Sequence, residues 1–254
     1  TMGPTDSDQS RLMSVGYRVW LDEQLARAPG LARAYVERMQ VANGETTRGD
    51  VVNAVWGRLL ADPAQLRERL ALALSEIFVI SLDDGGVHSE PRAAAAYYDM
   101  LAQKGVGNFR VLLESVALHP MMGKYLSHLG SQKANAATGR VPDENFAREI
   151  MQLFTIGLVQ LNPDGTVRRD ASGRALETYG PDDVAGLAKV FTGFSWSCPA
   201  FPADRCFLAG SPRNLGDADA GFKPMMGYPQ FHSTEEKRFL GVSIAAQSTA
   251  DPKA

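Results

Sequence analysis

Residues that would mark a catalytic or metal centre are scarce in this sequence of 254 residues. Cysteine occurs twice, at positions that form no CxxC pair, and two sulfurs alone do not make a zinc site. The four histidines never stand three or four residues apart, so no metal-binding spacing is present. They are His88, His119, His128 and His232. The sequence therefore predicts no metal site, and it identifies no cofactor.

Nucleotide-binding and hydrolase motifs are also missing: there is no P-loop, no GxGxxG and no GxSxG. No apolar run approaches the length of about 18 residues that a membrane-spanning helix needs. The 26 basic and 29 acidic residues nearly balance, with a formal net charge of -3, which argues against binding to nucleic acid. We expect a globular chain without a transmembrane segment, because 44% of its residues are hydrophobic and 22% are charged.

The hydrophobic pattern is that of a helical protein. Apolar residues recur at helical spacing along most of the chain, and proline, glycine and asparagine mark the ends of about nine helices. The first helix is expected to begin at a capping pair formed by Thr5 and Asp8. We predict a mainly α fold: an irregular multi-helix globular domain, single over residues 1–254, with a small β-hairpin excursion and a loop-rich C-terminal third.

Two stretches interrupt the helical pattern. Turn signals at residues 162–165 (NPDG) and 170–173 (DASG) predict the hairpin excursion over residues 159–179. Glycine, proline and aspartate dominate residues 193–230, which we expect to be irregular.

The most apolar segment, residues 63–81, contains a carboxylate at Glu76. A segment that is apolar on all sides is normally buried, so we predict a helix there, with a short strand at 77–80 as the alternative. If Glu76 faces inward it needs a partner such as arginine, because a lone buried carboxylate is costly. The alternative is an exposed edge of the helix.

Residues 142–158 carry the clearest helix signal in the chain. One face of this helix is apolar, and it comprises Phe146, Ile150, Leu153, Phe154 and Gly157. The other face is polar, and it comprises Asn145, Arg148, Glu149 and Gln152. Asp143 in the first turn favours the positive end of the helix dipole, and Gly157 is a natural stop.

This segment resembles the signature of a bacterial family known as domain of unknown function 1800. Residues 145–157 (NFAREIMQLFTIG) are similar to its motif N-F-A-R-E-L-x-E-L-F-T-L-G, and residues 179–194 to its block Y-T-x-x-D-V-x-x-x-A-R-x-F-T-G-W. Shorter matches occur at residues 107–113, 119–122 and 231–232. The resemblance covers almost the whole chain, in order.

The resemblance implies a mainly helical fold with no established activity. It also implies an exported protein, periplasmic or extracellular, although the first residues show neither the basic nor the apolar region of a signal peptide. Family members usually run longer, so we expect this chain to be the N-terminal part of a longer protein. They are often encoded beside a second, sulfatase-like family, which is the protein partner that the resemblance suggests.

At two places this chain lacks titratable side chains that the family pattern carries. Many relatives carry W-H-x-H-F in the apolar helix, where this chain has residues 74–78 (LSEIF) and therefore no histidine pair. The second carboxylate of the signature helix is Gln152 here, and an amide does not titrate.

Two functional hypotheses remain, of which a binding or assembly module is preferred because no complete catalytic constellation is visible. The alternative is a hydrolase-type enzyme. In it Arg148 offers a planar fork to an anionic group, Glu149 acts as base or metal ligand, and His232 completes the site. Asn145, Gln152 and Asp143 are the candidate binding residues. A structural reading also stands, in which these side chains form a network that ties helix ends to loops.

Cys198 and Cys206 enclose seven residues. In an oxidising compartment a disulfide between them closes this loop and stabilises the fold by about 2–3 kcal/mol in the loop-entropy account. We predict this disulfide for an exported protein.

Overall fold

The computed structural model describes residues 5–249 and confirms a mainly α fold. The chain divides into two compact units, Thr1–Met121 and Met122–Ala254, so a single domain over 1–254 stays a prediction. Within the described residues, the first unit holds seven complete helices: α1 Asp6–Ala26, α2 Ala32–Asn43, α3 Arg48–Ala61, α4 Gln65–Ser75, α5 Gly85–His88, α6 Pro91–Lys104 and α7 Phe109–Ala117. The boundary between the two units falls inside α8, Pro120–Tyr125.

Along residues 5–249, no helix combines the length and apolarity that crossing a membrane requires.

The first unit is built around α6, which packs against α2, α3 and α4. Its first half is a run of buried alanines, residues 93–96, followed by the fully buried Tyr97. Small side chains let neighbouring helices approach closely, and the Tyr97 hydroxyl is satisfied because it donates to the Phe78 carbonyl at 2.7 Å. The expected capping pair at the start of α1 is present, with Asp8 N–H donating to Thr5 Oγ1 at 3.1 Å.

A buried charged cluster joins four helices of the first unit. Arg58 on α3 contacts Glu68 on α4 and Asp99 on α6, each at 2.5 Å, and these side chains are 5–11% exposed. The Asp99 carboxylate also accepts the N–H groups of Ala32 (2.7 Å) and Arg33 (3.0 Å). These are the first two residues of α2, whose own cap residue offers no side-chain hydrogen bond. Asp99 therefore caps a helix from 67 residues away along the chain.

We expect Arg58→Met to lower the free energy of unfolding by about 3–5 kcal/mol, because it leaves two buried carboxylates without their cation. Chemical denaturation measures the loss. The matched control is Arg48→Met, since Arg48 pairs with Asp83 while about half exposed, and it should change stability by about 1 kcal/mol or less. Equal losses in the two variants would contradict the structural role of the cluster.

The segment around Glu76 differs in part from the sequence-based expectation. α4 ends at Ser75, residues 76–78 form a turn and 79–80 are irregular, so the helix is shorter than residues 63–81 and no strand forms. Glu76 is exposed, as in the second of the two alternatives. The carboxylate that α4 does bury is Glu68, two turns earlier.

His119 is buried beside Tyr97, with the two rings edge to face and their centroids 5.1 Å apart. Its Nδ1 accepts the N–H of Met121 at 3.2 Å, while its Nε2 has no hydrogen-bond partner in the described part of the chain. Burial lowers the pKa of His119 from 6.5 to about 3. The folded protein therefore keeps this ring neutral at pH values where the unfolded chain would protonate it.

Between pH 6.5 and about 3 the unfolded chain binds a proton at His119 that the folded protein does not, so stability falls as the pH falls. We expect this group alone to remove about 1 kcal/mol between pH 7 and about pH 5.5. His119→Asn keeps an acceptor for Met121 and should flatten that part of the stability profile. The same substitution at the exposed His88 is the control. An unchanged slope in the His119 variant would refute the assignment.

The second unit packs α9 (Asn145–Gln152) and strand β3 (Lys237–Phe239) against α10 (Pro181–Val190). The core between them is Ala147, Met151, Val184, Leu187 and Ala188. Gly186 allows the close approach, because a Cβ built there would lie 1.7 Å from the Arg238 carbonyl oxygen. β3 pairs antiparallel with β4 (Val242–Ile244), and a second ribbon joins β1 (Phe194–Ser195) to β2 (Met226–Gly227). The unit also contains the short helix α11, Asp204–Phe207.

The small hairpin excursion is present where turn residues predict it. Antiparallel bridges join Val159 to Glu177, Leu161 to Val167 and Arg169 to Ala175, so the segment folds back on itself twice. Both turns place glycine in the left-handed region, Gly165 and Gly173 each at φ +82°. The aspartates of the two turns cap their own backbones, as Asx turns do.

Candidate functional site

The candidate site is built on α9, whose amphipathic character the structure confirms. Phe146, Ala147 and Met151 are buried, and Gly157 ends the segment at φ +72° with its N–H donating to the Met151 carbonyl. The regular helix covers residues 145–152, where the sequence predicts 142–158. Leu153 was expected on the inward face but is 60% exposed, because the helix ends one residue before it and the chain continues through turns.

The start of α9 is held by the loop that follows α8. The Asp143 N–H donates to Ser131 Oγ at 3.1 Å, and the Asp143 carboxylate accepts the N–H of Asn145 at 2.9 Å. The His128 ring stacks on Phe146, with centroids 3.9 Å apart. Asp143 is thus a helix-capping residue in this structure, and its predicted binding role stays a prediction.

The polar face of α9 presents mixed hydrogen-bonding groups. Asn145 Nδ2 donates to Ser127 Oγ at 3.4 Å, and Ser127 itself adopts φ +58°, a conformation that a non-glycine residue rarely takes. One turn beyond Glu149 lies Gln152, whose Oε1 accepts from the Tyr179 hydroxyl at 3.5 Å. Each amide of this face therefore has one long contact, which a ligand or partner can replace.

Arg148 points away from the core. Its Nη2 contacts Glu144 Oε2 at 3.1 Å, and both side chains are nearly half exposed. Such exposed pairs spaced four residues apart contribute about 0.3–0.5 kcal/mol, so Arg148 is not needed to hold the helix. Its guanidinium remains accessible to a partner from solvent.

Glu149 is the residue of this face that the fold leaves unsatisfied. Its Oε2 atom is buried, yet it has no hydrogen-bond partner among residues 5–249. Leaving a buried acceptor unpaired costs about 1–3 kcal/mol.

His232 has its main contacts elsewhere in the second unit. It is 3% exposed, and its Nδ1 lies 2.7 Å from the Thr192 carbonyl oxygen. Since a carbonyl oxygen accepts, Nδ1 carries the proton and donates this hydrogen bond. The next residue, Ser233, donates its N–H to Thr192 Oγ1 at 2.9 Å. These bonds fix the 231–233 segment to the end of α10. A catalytic role for Arg148, Glu149 and His232 together stays a prediction.

Gly193 allows the segments that carry Ser131, Tyr228 and His232 to meet. Its φ is +80°, and a Cβ at this position would lie 2.8–2.9 Å from the backbone and Cβ of His232. Its N–H donates to the Ser131 carbonyl at 2.8 Å, and its carbonyl accepts from the Tyr228 N–H at 2.7 Å. A side chain there would collide with His232 and force its segment away from Gly193.

The expected disulfide is present between Cys198 and Cys206, with their Cα atoms 5.8 Å apart. Both cysteines belong to a buried cluster with Phe207 and Tyr228. The Tyr228 hydroxyl donates to the Trp196 carbonyl at 2.7 Å, and burial raises the pKa of Tyr228 to about 12. Part of the segment expected to be irregular is therefore a cross-linked core.

Sequence reasoning missed Ser127 entirely, because neither its residue type nor its neighbours predict a positive φ.

Among residues 5–249, no group of three or more histidine, cysteine, aspartate or glutamate side chains is placed to hold a metal ion.

The fold and the site define a mainly helical protein that carries a polar face on the short helix α9 and a disulfide in its loop-rich segment. The family model described as Protein of unknown function (DUF1800) matches residues 1–254, and the chain belongs to that family. No curated protein and no solved structure matches it.

We expect Glu149→Met to raise the free energy of unfolding by about 1 kcal/mol, because it removes a buried acceptor that has no donor while keeping a good helix former. Thermal and denaturant unfolding measure the change. Glu144→Met, at the residue that precedes α9, is the control, and it should lower the free energy of unfolding by no more than about 0.5 kcal/mol. If Glu149→Met instead destabilised the protein by more than about 1 kcal/mol, Glu149 would be a structural residue.

Proposed function

We propose that this chain is a binding or assembly module of an exported bacterial protein, and that its interface lies at the end of α9. Four large aliphatic side chains remain exposed within nine residues of chain, and we call them the apolar rim. They are Leu153 (60% exposed), Ile156 (42%), Leu158 (55%) and Leu161 (56%). Clusters of exposed apolar side chains next to polar groups mark interaction sites, and this rim is the observation that carries the proposal.

The polar face of α9 supplies what such an interface needs beside its apolar part. Arg148 offers a guanidinium whose one ion pair among residues 5–249 is the exposed contact with Glu144. Asn145 and Gln152 offer amides with long contacts of 3.4 and 3.5 Å. Interfaces gain specificity from a few polar groups that become paired when water is excluded. A protein partner that covers the rim with apolar side chains and offers a carboxylate to Arg148 would use both features.

The resemblance identified in the sequence suggests the class of partner, a sulfatase-like protein encoded beside the gene. An extracellular or periplasmic location is compatible with the disulfide between Cys198 and Cys206.

A hydrolase is the second candidate, and the unpaired oxygen of Glu149 is what favours it, since a general base needs a free acceptor. It has less support, because that oxygen of Glu149 is closed to solvent, Arg148 pairs with Glu144, and the Nδ1 of His232 faces a backbone carbonyl.

The binding proposal is tested with the double variant Leu153→Ser, Leu158→Ser and the purified sulfatase-like neighbour protein. We expect titration calorimetry to show wild-type binding and a loss of about tenfold or more in the variant, because truncated apolar anchors cost more than about 1 kcal/mol each. Leu208→Ser is the control, since Leu208 is equally exposed (62%) but belongs to another segment.

Absence of a wild-type complex, or an equal loss in the control, would contradict the proposal. Hydrolysis of an ester or phosphodiester substrate that disappears in Glu149→Gln would instead favour the enzyme.

A further inference from the structure

The second unit contains a cleft of about 480 Å³ that is separate from the apolar rim and from the polar residues of α9. Its lining residues are Cys198, Arg205, Ala209, Asn214, Leu215 and Gly216. Small-molecule sites in proteins typically measure about 300–1,000 Å³, so the cleft has the size of a site for a small ligand.

The walls of the cleft are held in place without a ligand. Cys198 lines one wall, and its disulfide to Cys206 ties that wall to the segment that carries Arg205. The Trp196 indole N–H donates to the Ala209 carbonyl at 2.8 Å, which fixes a second wall. Leu215 packs against the cluster around the disulfide and ends a 3-10 helix, Pro212–Leu215. A preformed cleft of this kind costs little ordering free energy when a ligand binds.

The polar groups of the cleft are unused. Neither the Arg205 guanidinium nor the Asn214 amide makes a side-chain hydrogen bond or ion pair within residues 5–249. Both are hydrogen-bond donors that point to an acceptor, and a guanidinium binds carboxylates through a planar fork.

The acidic residues next to these groups in sequence are already engaged. Asp204 Oδ1 accepts from Gln230 at 2.9 Å, and Asp217 Oδ2 pairs with Lys223 at 2.8 Å. The bond from Lys223 lowers the pKa of Asp217, so this pair stays ionised and balanced. Lys124 adds a second cation, which has no carboxylate partner in the described part of the chain; its Nζ lies 3.4 Å from the Gly210 carbonyl and 5.4 Å from the Trp196 ring centre. Asp204 keeps its negative charge, because its partner Gln230 is a neutral amide, but the two cations Arg205 and Lys124 exceed it, so this region favours a negatively charged ligand.

We propose that this cleft binds a small organic acid, with the carboxylate on Arg205 and Asn214 and an apolar body against Leu215, Ala209 and the disulfide. The site shares no residue with the apolar rim or with the polar face of α9, so it stands independently of the function proposed above. Because the disulfide ties one wall to the segment that carries Arg205, the oxidised protein is the binding form.

The test uses benzoate and its neutral analogue benzamide as probes, titrated into the oxidised chain and followed by ¹H–¹⁵N NMR of side-chain and backbone groups. We expect benzoate to shift the signals of Arg205, Asn214 and Gly216, and benzamide to bind at least about tenfold more weakly, since it lacks the charge. Arg205→Gln should lose benzoate binding by about tenfold or more. Arg213→Gln, a nearby cation that does not line the cleft, should change it by less than about threefold.

Equal binding of benzoate and benzamide, unchanged affinity in Arg205→Gln, or no saturable shifts in the millimolar range would overturn the proposal. The double variant Cys198→Ala, Cys206→Ala tests the wall, with the signals of α9 and α10 reporting that the unit stays folded. Benzoate binding should be lost in this variant, and unchanged affinity would overturn the dependence on the disulfide.

Discussion

Three segments of the second unit meet at the backbone of Gly193. The positions of the polar face of α9 and of the region around the disulfide depend on these contacts. The N–H of Gly193 bonds to Ser131 in the loop that holds the start of α9, while its carbonyl bonds to Tyr228 in the cluster around the disulfide. Its missing side chain leaves room for His232. One residue at a left-handed φ thus links the polar face of α9 to the cross-linked region.

Features with short-range causes were predictable from the sequence. The Thr5–Asp8 cap and the two turns of the hairpin excursion each follow from residues within about five positions of one another, where local chemistry decides. The helix stop predicted at Gly157 was wrong, because α9 already ends at Gln152. The inward face of α9 followed from periodicity, except at Leu153, since a pattern continues in sequence after the helix has ended.

Features with long-range causes were not predictable. Glu76 drew notice as a carboxylate in an apolar segment, but the buried carboxylate is Glu68, because burial is decided by where Arg58 lies in space. The same limit applies to the site: the sequence grouped Arg148, Glu149 and His232 by motif, and the structure gives each a different environment. Of these three residues, Glu149 alone has a buried atom without a hydrogen-bond partner in the described chain, and the sequence pattern does not reveal this.

The capping of α2 by Asp99 has a consequence for how the first unit forms. α2 lacks a cap of its own, so its first N–H groups are satisfied only after α6 has docked. An isolated peptide spanning α2 should be poorly helical in water, since twelve residues without a cap barely overcome the cost of nucleation. Helix formation and tertiary assembly are therefore a single cooperative event in this part of the protein, and truncation after α3 would leave the early helices without a stable partner.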